Sequence, residues 1–289
     1  MQTTIKAYAK INLTLDITGK RADGYHLLSM VMQSVSLCDE LTLTQAESGI
    51  RILSNRDDVP CGESNTVYRA AAGFFEYAGV QPNVTIAIQK RIPSQAGLGG
   101  GSADAAAVLL ALNEMLQTGY SKEILCKIGL RVGADVPFCI VGGTALAQGI
   151  GEKLAALSAM PHCHIVICKP LCGVDTKKAY ALADSAAKTD IAFSSAMVDA
   201  IHAADLHMIA ENLGNEFENV MNLAEVTRIK RTMKLMGALG ACMTGSGSAV
   251  FGIFNDLPKA TTCTAALSKD YDDVFLCEPV TTGSEKSAL

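Results

Sequence analysis

No run of 18 uninterrupted apolar residues occurs anywhere in this 289-residue chain, and its most apolar stretch, Ala103 to Leu112, is too short to cross a bilayer. The opening residues Met1-Gln-Thr-Thr-Ile-Lys6 lack the apolar segment of an export signal. Positive charge is also missing: the formal net charge is −5, and clusters such as Lys177-Lys178 and Arg228-Ile-Lys-Arg231 are short. No broad basic field is available for a nucleic-acid backbone, so any polyphosphate must be gripped locally. The ten cysteines, scattered from Cys38 to Cys277, form no regular spacing framework. Reduced thiols and a cytoplasmic location are the expectation. His162-Cys163-His164 with Cys168 and Cys172 invites a zinc reading. Residues 163 and 164 point to opposite faces of a strand, however, and the spacing matches no standard ligand pattern, so no protein-held metal is expected.

What is present is an ordinary globular composition, with 49% hydrophobic and 18% charged residues. The length exceeds one usual core and suggests two domains, 1–155 and 156–289, with a boundary where Ala- and Ser-containing sequence leads to Pro161. Early segments read as strands: Thr3 to Tyr8, Ile11 to Ile17, Val31 to Leu37 and Leu41 to Thr44. Val67, Ala70, Ala71, Phe74, Phe75 and Ala78 repeat at helical spacing, and Val84 to Ile88 returns to strand character. Further helices are predicted from Ser102, over Lys122 to Arg131, and over 177–183, 224–236 and 260–267. Further strands are predicted within 142–151 and over 164–168, 249–254 and 274–277. The tail from Thr281 reads as frayed. Strands clustered early, without strict alternation with helices, predict an α+β fold.

The strongest local chemical signal is Pro93-Ser94-Gln95-Ala96-Gly97-Leu98-Gly99-Gly100-Gly101-Ser102-Ala103. Four glycines within five residues, just ahead of a helix, can turn backbone N–H groups and the helix dipole toward a polyphosphate. No Lys-Ser or Lys-Thr follows the last glycine, so this is not a Walker A loop. Nor does it carry a dinucleotide-binding fingerprint. Alone it also fits a flexible strand-to-helix connection. A second small-residue loop, Met243-Thr-Gly-Ser-Gly-Ser248, runs into an apolar strand. Near the N-terminus, Lys10 and Asn12 interrupt an apolar stretch, where an unpartnered buried cation would be costly.

These three segments, in this order, resemble the three motifs of the GHMP kinases. Ala9-Lys-Ile-Asn-Leu13 followed by Gly19-Lys-Arg-Ala-Asp-Gly-Tyr-His26 narrows the resemblance to the 4-diphosphocytidyl-2-C-methyl-D-erythritol kinases of that family. Ser64-Asn65, Gly133-Ala-Asp-Val-Pro-Phe138, Gly142-Gly-Thr-Ala145, Gly149-Ile-Gly-Glu152 and Thr244-Gly-Ser-Gly247 agree with it too. Residues 185 to 235 contribute least. In three places the chain departs from the family pattern: Gln95 stands where a small residue, commonly glycine, is usual; Ala103 replaces a second serine; and Thr244 replaces a serine.

The resemblance implies a two-domain fold, with an N-terminal domain like the second domain of ribosomal protein S5 and a ferredoxin-like C-terminal domain. It implies transfer of the ATP γ-phosphate to the 2-hydroxyl of a cytidylyl methylerythritol substrate in non-mevalonate isoprenoid synthesis. Asp135 would be the base and Lys10 would orient it; Asp135 also reads as a helix cap before Pro137. ATP would lie on residues 93–103, with Asn65 near the adenine and Mg²⁺ accompanying the phosphates. The other substrate would meet Asn12, Tyr25, His26, Asp135, Thr176, Tyr180, Gly245 and Ser246, with Tyr25 and Tyr180 on two faces of the cytosine. Tyr180 also reads as a packed helix residue. The partners implied are small molecules, without nucleic acid or membrane, for a monomer or weak homodimer. Two alternatives remain open: another GHMP small-molecule kinase, and a non-catalytic nucleotide- or RNA-binding protein on the S5-like fold.

Overall fold

In a computed structural model, residues 1–185 and 192–287 are described. The chain opens with a long antiparallel hairpin, β1 (Gln2–Lys20) and β2 (His26–Gln45). The four short strands read from the sequence are thus two long ones. Lys10 and Asn12, which interrupt the apolar pattern of β1, are buried within the sheet, as is Asp39 of β2. β3 (Gly49–Ser54), α1 (Thr66–Ala78) and β4 (Asn83–Gln89) form a β-α-β unit whose strands pair in parallel. The Asn65 side chain accepts a hydrogen bond from Val67 N–H to start α1, and Gly79, at φ +67°, ends it.

Next come α2 (Gly100–Met115), α3 (Lys122–Leu130) and α4 (Val136–Val141), then β5 (Thr144–Gly149) and β6 (Lys153–Ala156). α2 is buried on several sides, from Ala103 through Leu109, as befits a central helix that is apolar all round. β7 (His164–Lys169) leads to α5 (Thr176–Ser185), α6 (Phe193–His202) and α7 (Leu206–Glu211). The short β8 (Gly214–Asn215) and α8 (Glu216–Val220) precede α9 (Ala224–Leu235). The chain closes with β9 (Gly240–Met243), β10 (Val250–Phe254), α10 (Leu257–Leu267), β11 (Asp273–Cys277) and β12 (Ser284–Lys286).

The larger sheet runs β12-β1-β2-β4-β3, with β5 and β6 continuing from β2 and β8 added to β1. The smaller sheet, β11-β7-β10-β9, is antiparallel throughout. With α9 before β9 and α10 before β11, it has the β-α-β-β-α-β order of a ferredoxin-like unit. The tail expected to fray instead forms β12, which pairs with Ile5 to Ala7 of β1. Its three residues, Ser-Glu-Lys, are too short and polar to show strand periodicity. Its approach is tight: a Cβ on Gly142, at φ +72°, would collide with the backbone of Gly283.

Two cores flank the larger sheet. One takes Ile5, Ala7 and Leu15 of β1 together with α1 through α4; the other joins Ala9, Ile11 and Leu13 to Ile165, Ile167, Phe251 and Ile253 of the smaller sheet. Odd-numbered residues of a regular strand would share one face. Register shifts at Tyr8/Lys10 and Asn12/Thr14 turn β1 over between them. That reversal sends Ala9, Ile11 and Leu13 into the inter-sheet core and leaves Lys10 and Asn12 facing the glycine loop.

Candidate active site

The glycine loop is fixed to its neighbours by backbone bonds. Lys10 N–H donates to Leu98 C=O at 3.0 Å, and Ala249 N–H donates to Ala96 C=O at 3.1 Å. Gly97, at φ +76°, lies so close to the 243–248 loop that a Cβ would collide with the Thr244 carbonyl oxygen, while Thr244 Oγ1 donates to Gly97 C=O at 3.2 Å. Gly99, at φ +69°, stands at the N-cap of α2; a Cβ there would sit 2.9 Å from Lys10 Cγ. The first N–H groups of α2, which have no intrahelical acceptor, therefore open beside the Lys10 side chain.

Lys10 is buried, and its Nζ donates to Asn12 Oδ1 at 2.6 Å and lies 3.4 Å from Asp135 Oδ2. Asn12 is held in turn by Thr244, whose Oγ1 accepts from Asn12 N–H at 3.0 Å. Asp135 occupies the N-cap position of α4, but its side chain makes no capping hydrogen bond. The carboxylate faces Lys10 instead and stays one-third exposed. A cleft of about 370 Å³ gathers Lys10, Asn12, Gln95, Gly97, Gly99, Ser102, Asp135, Thr176, Tyr180, Gly245 and Ser246. Thr176 Oγ1 and Ser246 Oγ, 2.9 Å apart, close one side. Burial, then the nearby Asp135 charge, pushes the Tyr180 hydroxyl up to about 12, so it is a neutral hydrogen-bonding group near neutral pH.

Other predicted residues sit differently. Pro93, Ala96 and Leu98 are buried supports of the loop, and Ser94 donates to Asp58 at 3.4 Å. Gly100 and Gly101 open α2, with Thr66 Oγ1 donating to Gly101 C=O at 2.8 Å. Ala103 is fully buried in the core, so a hydroxyl at that position would face the protein interior rather than the cleft. Gln95 has φ +53°, which accounts for the preference for glycine there. Asn65, assigned to the adenine, has both ends of its amide engaged, accepting from Val67 N–H at 2.8 Å and donating to Pro60 C=O at 2.6 Å.

The aromatic pair also differs from expectation. His26, rather than Tyr25, covers the Tyr180 ring, with centroids 4.4 Å apart and planes 18° from parallel. Tyr25 is 61% exposed in the β1–β2 turn. A base inserted between two rings needs about 7 Å between their faces, twice a stacking separation, so the His26–Tyr180 stack has no room for one. His26 Nε2 is bonded to Asp184 Oδ1 at 2.6 Å, and Lys20 Nζ donates to Asp184 Oδ2 at 2.5 Å. Hydrogen bonds from Lys20 and then His26 hold the Asp184 carboxyl below its usual range. A neighbouring 790 Å³ cavity is lined by Lys20, His26 and Asp184 but by neither Lys10 nor Asp135. The buried cation, the carboxylate and the glycine loop meet in the smaller cleft.

The sequence reading missed Asp184 and Asn215. Asn215 is buried, and its Nδ2 donates to Met243 C=O and Gly245 C=O, both at 2.8 Å, which sets the second loop. Asn215 followed by Glu216 and Glu218 carries a helix-start signal that could have drawn attention to it. Asp184 carried none.

Family models of the GHMP kinases match twice: the N-terminal domain over residues 65–143 and the C-terminal domain over 197–273. A 4-diphosphocytidyl-2-C-methyl-D-erythritol kinase of Clostridium beijerinckii is 44% identical over 96% of this chain and 99% of its own length. The chain belongs to the 4-diphosphocytidyl-2-C-methyl-D-erythritol kinases of the GHMP family. The corresponding protein of Clostridium novyi is 43% identical over 95% of this chain and 99% of its own. A crystal structure of a 4-(cytidine 5'-diphospho)-2C-methyl-D-erythritol kinase superposes with a TM-score of 0.80, at 32% identity, over 96% of this chain and 99% of that one. Homoserine kinase from Cytophaga hutchinsonii reaches the same TM-score at 20% identity, over 99% of this chain and 97% of that one, a likeness of fold alone. The α+β architecture and membership of an ATP-dependent kinase family therefore stand. Among the described residues, no helix is long and apolar enough to cross a membrane.

Proposed function

We propose that this kinase transfers the γ-phosphate of ATP to the 2-hydroxyl of 4-diphosphocytidyl-2-C-methyl-D-erythritol, in the cytoplasm. The observation that carries the reading is the meeting of Lys10, Asp135 and the α2 N-terminus at one cleft. In this account the polyphosphate lies along Gly97 to Ser102, where backbone N–H groups and the helix dipole receive its charge. The acceptor hydroxyl enters beside Asp135, which takes its proton as the oxygen attacks phosphorus. Lys10, 3.4 Å from Asp135, orients that carboxylate and neutralises charge growing on the transferred group. Asn12, fixed by Lys10 and Thr244, aims that ammonium.

Mg²⁺ binds oxygen donors and commonly keeps several waters beside the phosphates, and the Ser102 hydroxyl offers such a donor in the cleft. It would neutralise the β- and γ-phosphate charge there. The cytosine is assigned to the outer surface of the His26–Tyr180 stack, with Tyr25 free to fold over it. We further propose that residues 1–155 and 156–289 act as two domains, the second closing the site with Thr176, Tyr180, Gly245 and Ser246.

The test is ATP consumption by the purified protein with the cytidylyl methylerythritol, homoserine, mevalonate or galactose as acceptor. Turnover confined to the cytidylyl compound supports the reading. Faster turnover of any other acceptor contradicts it.

A further inference from the structure

Away from the cleft, β7 begins at His164, and His162 lies two residues ahead of it, just outside the strand. Cys163 between them is buried, whereas the side chains of His162 and His164 come together beside it. Their rings lie edge to face, with centroids 5.2 Å apart. β7 pairs with β11 in antiparallel register, Ile165 opposite Cys277, so one step further along brings Glu278 opposite His164. One ligand atom from each of His162, His164 and Glu278 lies within 4.8 Å of the others.

We infer that His162, His164 and Glu278 form a binding site for a divalent transition metal of the Zn²⁺ class. Two imidazoles and one carboxylate suit that class, whereas Mg²⁺ and Ca²⁺ prefer oxygen donors alone. Bonds of about 2.0–2.1 Å in a tetrahedron place neighbouring donors about 3.3 Å apart. His164 Nδ1 and Glu278 Oε1 are already 3.4 Å apart. His164 Nδ1 is buried and has no hydrogen-bond partner among the described residues, so a bound cation would satisfy a ring nitrogen that is otherwise unmet. His162 and Glu278 are exposed, so the remaining donor can swing inward and water can fill a fourth position.

The location gives the site a role. The Glu278 backbone is tied to the larger sheet, with Ser36 N–H donating to Glu278 C=O and Glu278 N–H donating to Ser36 Oγ, each at 2.9 Å. Val35 and Pro279 form a bridge beside it. A metal here clamps the entry of β7 to the segment that crosses from the smaller sheet to the larger one.

Metal-free protein titrated with Zn²⁺ against a chromophoric chelator tests the site, together with the visible spectrum of the Co²⁺ form. A single equivalent is expected, with intense four-coordinate cobalt bands, no thiolate-to-cobalt charge-transfer band, and a higher Tm with Zn²⁺. His164→Ala and Glu278→Gln should each weaken binding at least about 10- to 100-fold, the range already known for losing a supporting group. The His162→Ala/His164→Ala variant should keep metal-free kinase activity, as a control for folding, and lose the Tm shift. Unchanged zinc affinity in that folded variant, a thiolate band assigning the metal to exposed Cys61 or Cys172, or no binding by the parent protein would each overturn the proposal.

Discussion

Asp184 illustrates how a single side chain can tune a site it does not enter. It receives hydrogen bonds from Lys20 and His26 and thereby fixes the edge of the ring that lies on Tyr180. Asp184→Asn weakens that hold without touching the glycine loop. It should raise KM for the cytidylyl substrate by a factor of about two to five, the range of a partly exposed ion pair. KM for ATP should stay level. Steady-state kinetics with each substrate varied in turn checks this; an equal rise in both constants would mean Asp184 supports the fold rather than His26. Lys10 and Asp135 were legible in the sequence because each stands in a motif with recognisable neighbours. Asp184 was not, since its bonds to Lys20 and His26 are long-range and no local pattern announces them, and the helix-start signal at Asn215 does not reveal its bonds to Met243 and Gly245.

At the scale of elements, the site depends on two glycine-rich turns pressed together and on a strand that turns over. Gly97 sits left-handed against Thr244, so Gly97→Ala meets both a conformational penalty of about 1–2 kcal/mol and a backbone collision. Gln95 is left-handed without a collision from its own Cβ being required, and Gln95→Gly should relieve about 1 kcal/mol, or about 2–4 °C in Tm for a chain of this size class. Thermal melts and ATP kinetics on both variants check the pair: Gly97→Ala should lower Tm and raise KM for ATP, while Gln95→Gly should raise Tm. Equal, small effects would mean the loop adapts freely. Glycine spacing announced this loop in the sequence, and apolar periodicity announced α1 and α3. The reversal of β1 at Tyr8/Lys10 and Asn12/Thr14 was hidden, because a bulge is set by pairing with β2 and leaves no mark in β1 alone.

Across the whole molecule, the loop rests on a buried charge cluster. Lys90 Nζ lies 2.5 Å from Asp39 and 2.7 Å from Asp104, and Asp39 also accepts the N–H groups of Arg91 and Ile92, which lead into the glycine loop. Burial, only partly offset by Lys90, pushes the Asp104 carboxyl up to about 8. Its folded form therefore binds a proton more tightly than its unfolded form. The stability this contributes is complete below the unfolded value, near 4, and is lost as pH rises through the folded value. Asp104→Asn removes the titration. The Tm of the parent minus that of the variant should fall as pH rises from 4 to 8, and a constant difference would place the proton elsewhere. The two-part architecture was legible as mixed strand and helix content, whereas the return of the tail to β1 as β12 was not: its pairing partner lies nearly the whole chain away.

Phosphoryl transfer is assigned to the place where Lys10 and Asp135 face the glycine loop, and single-turnover transfer from ATP to the cytidylyl methylerythritol is the decisive experiment. Asp135→Asn keeps the shape of the side chain but removes the base and its charge. A transfer rate lower by about 10²- to 10⁴-fold is expected, with ATP affinity nearly unchanged because the loop and α2 are intact. Transfer at the parent rate by folded Asp135→Asn protein would contradict it.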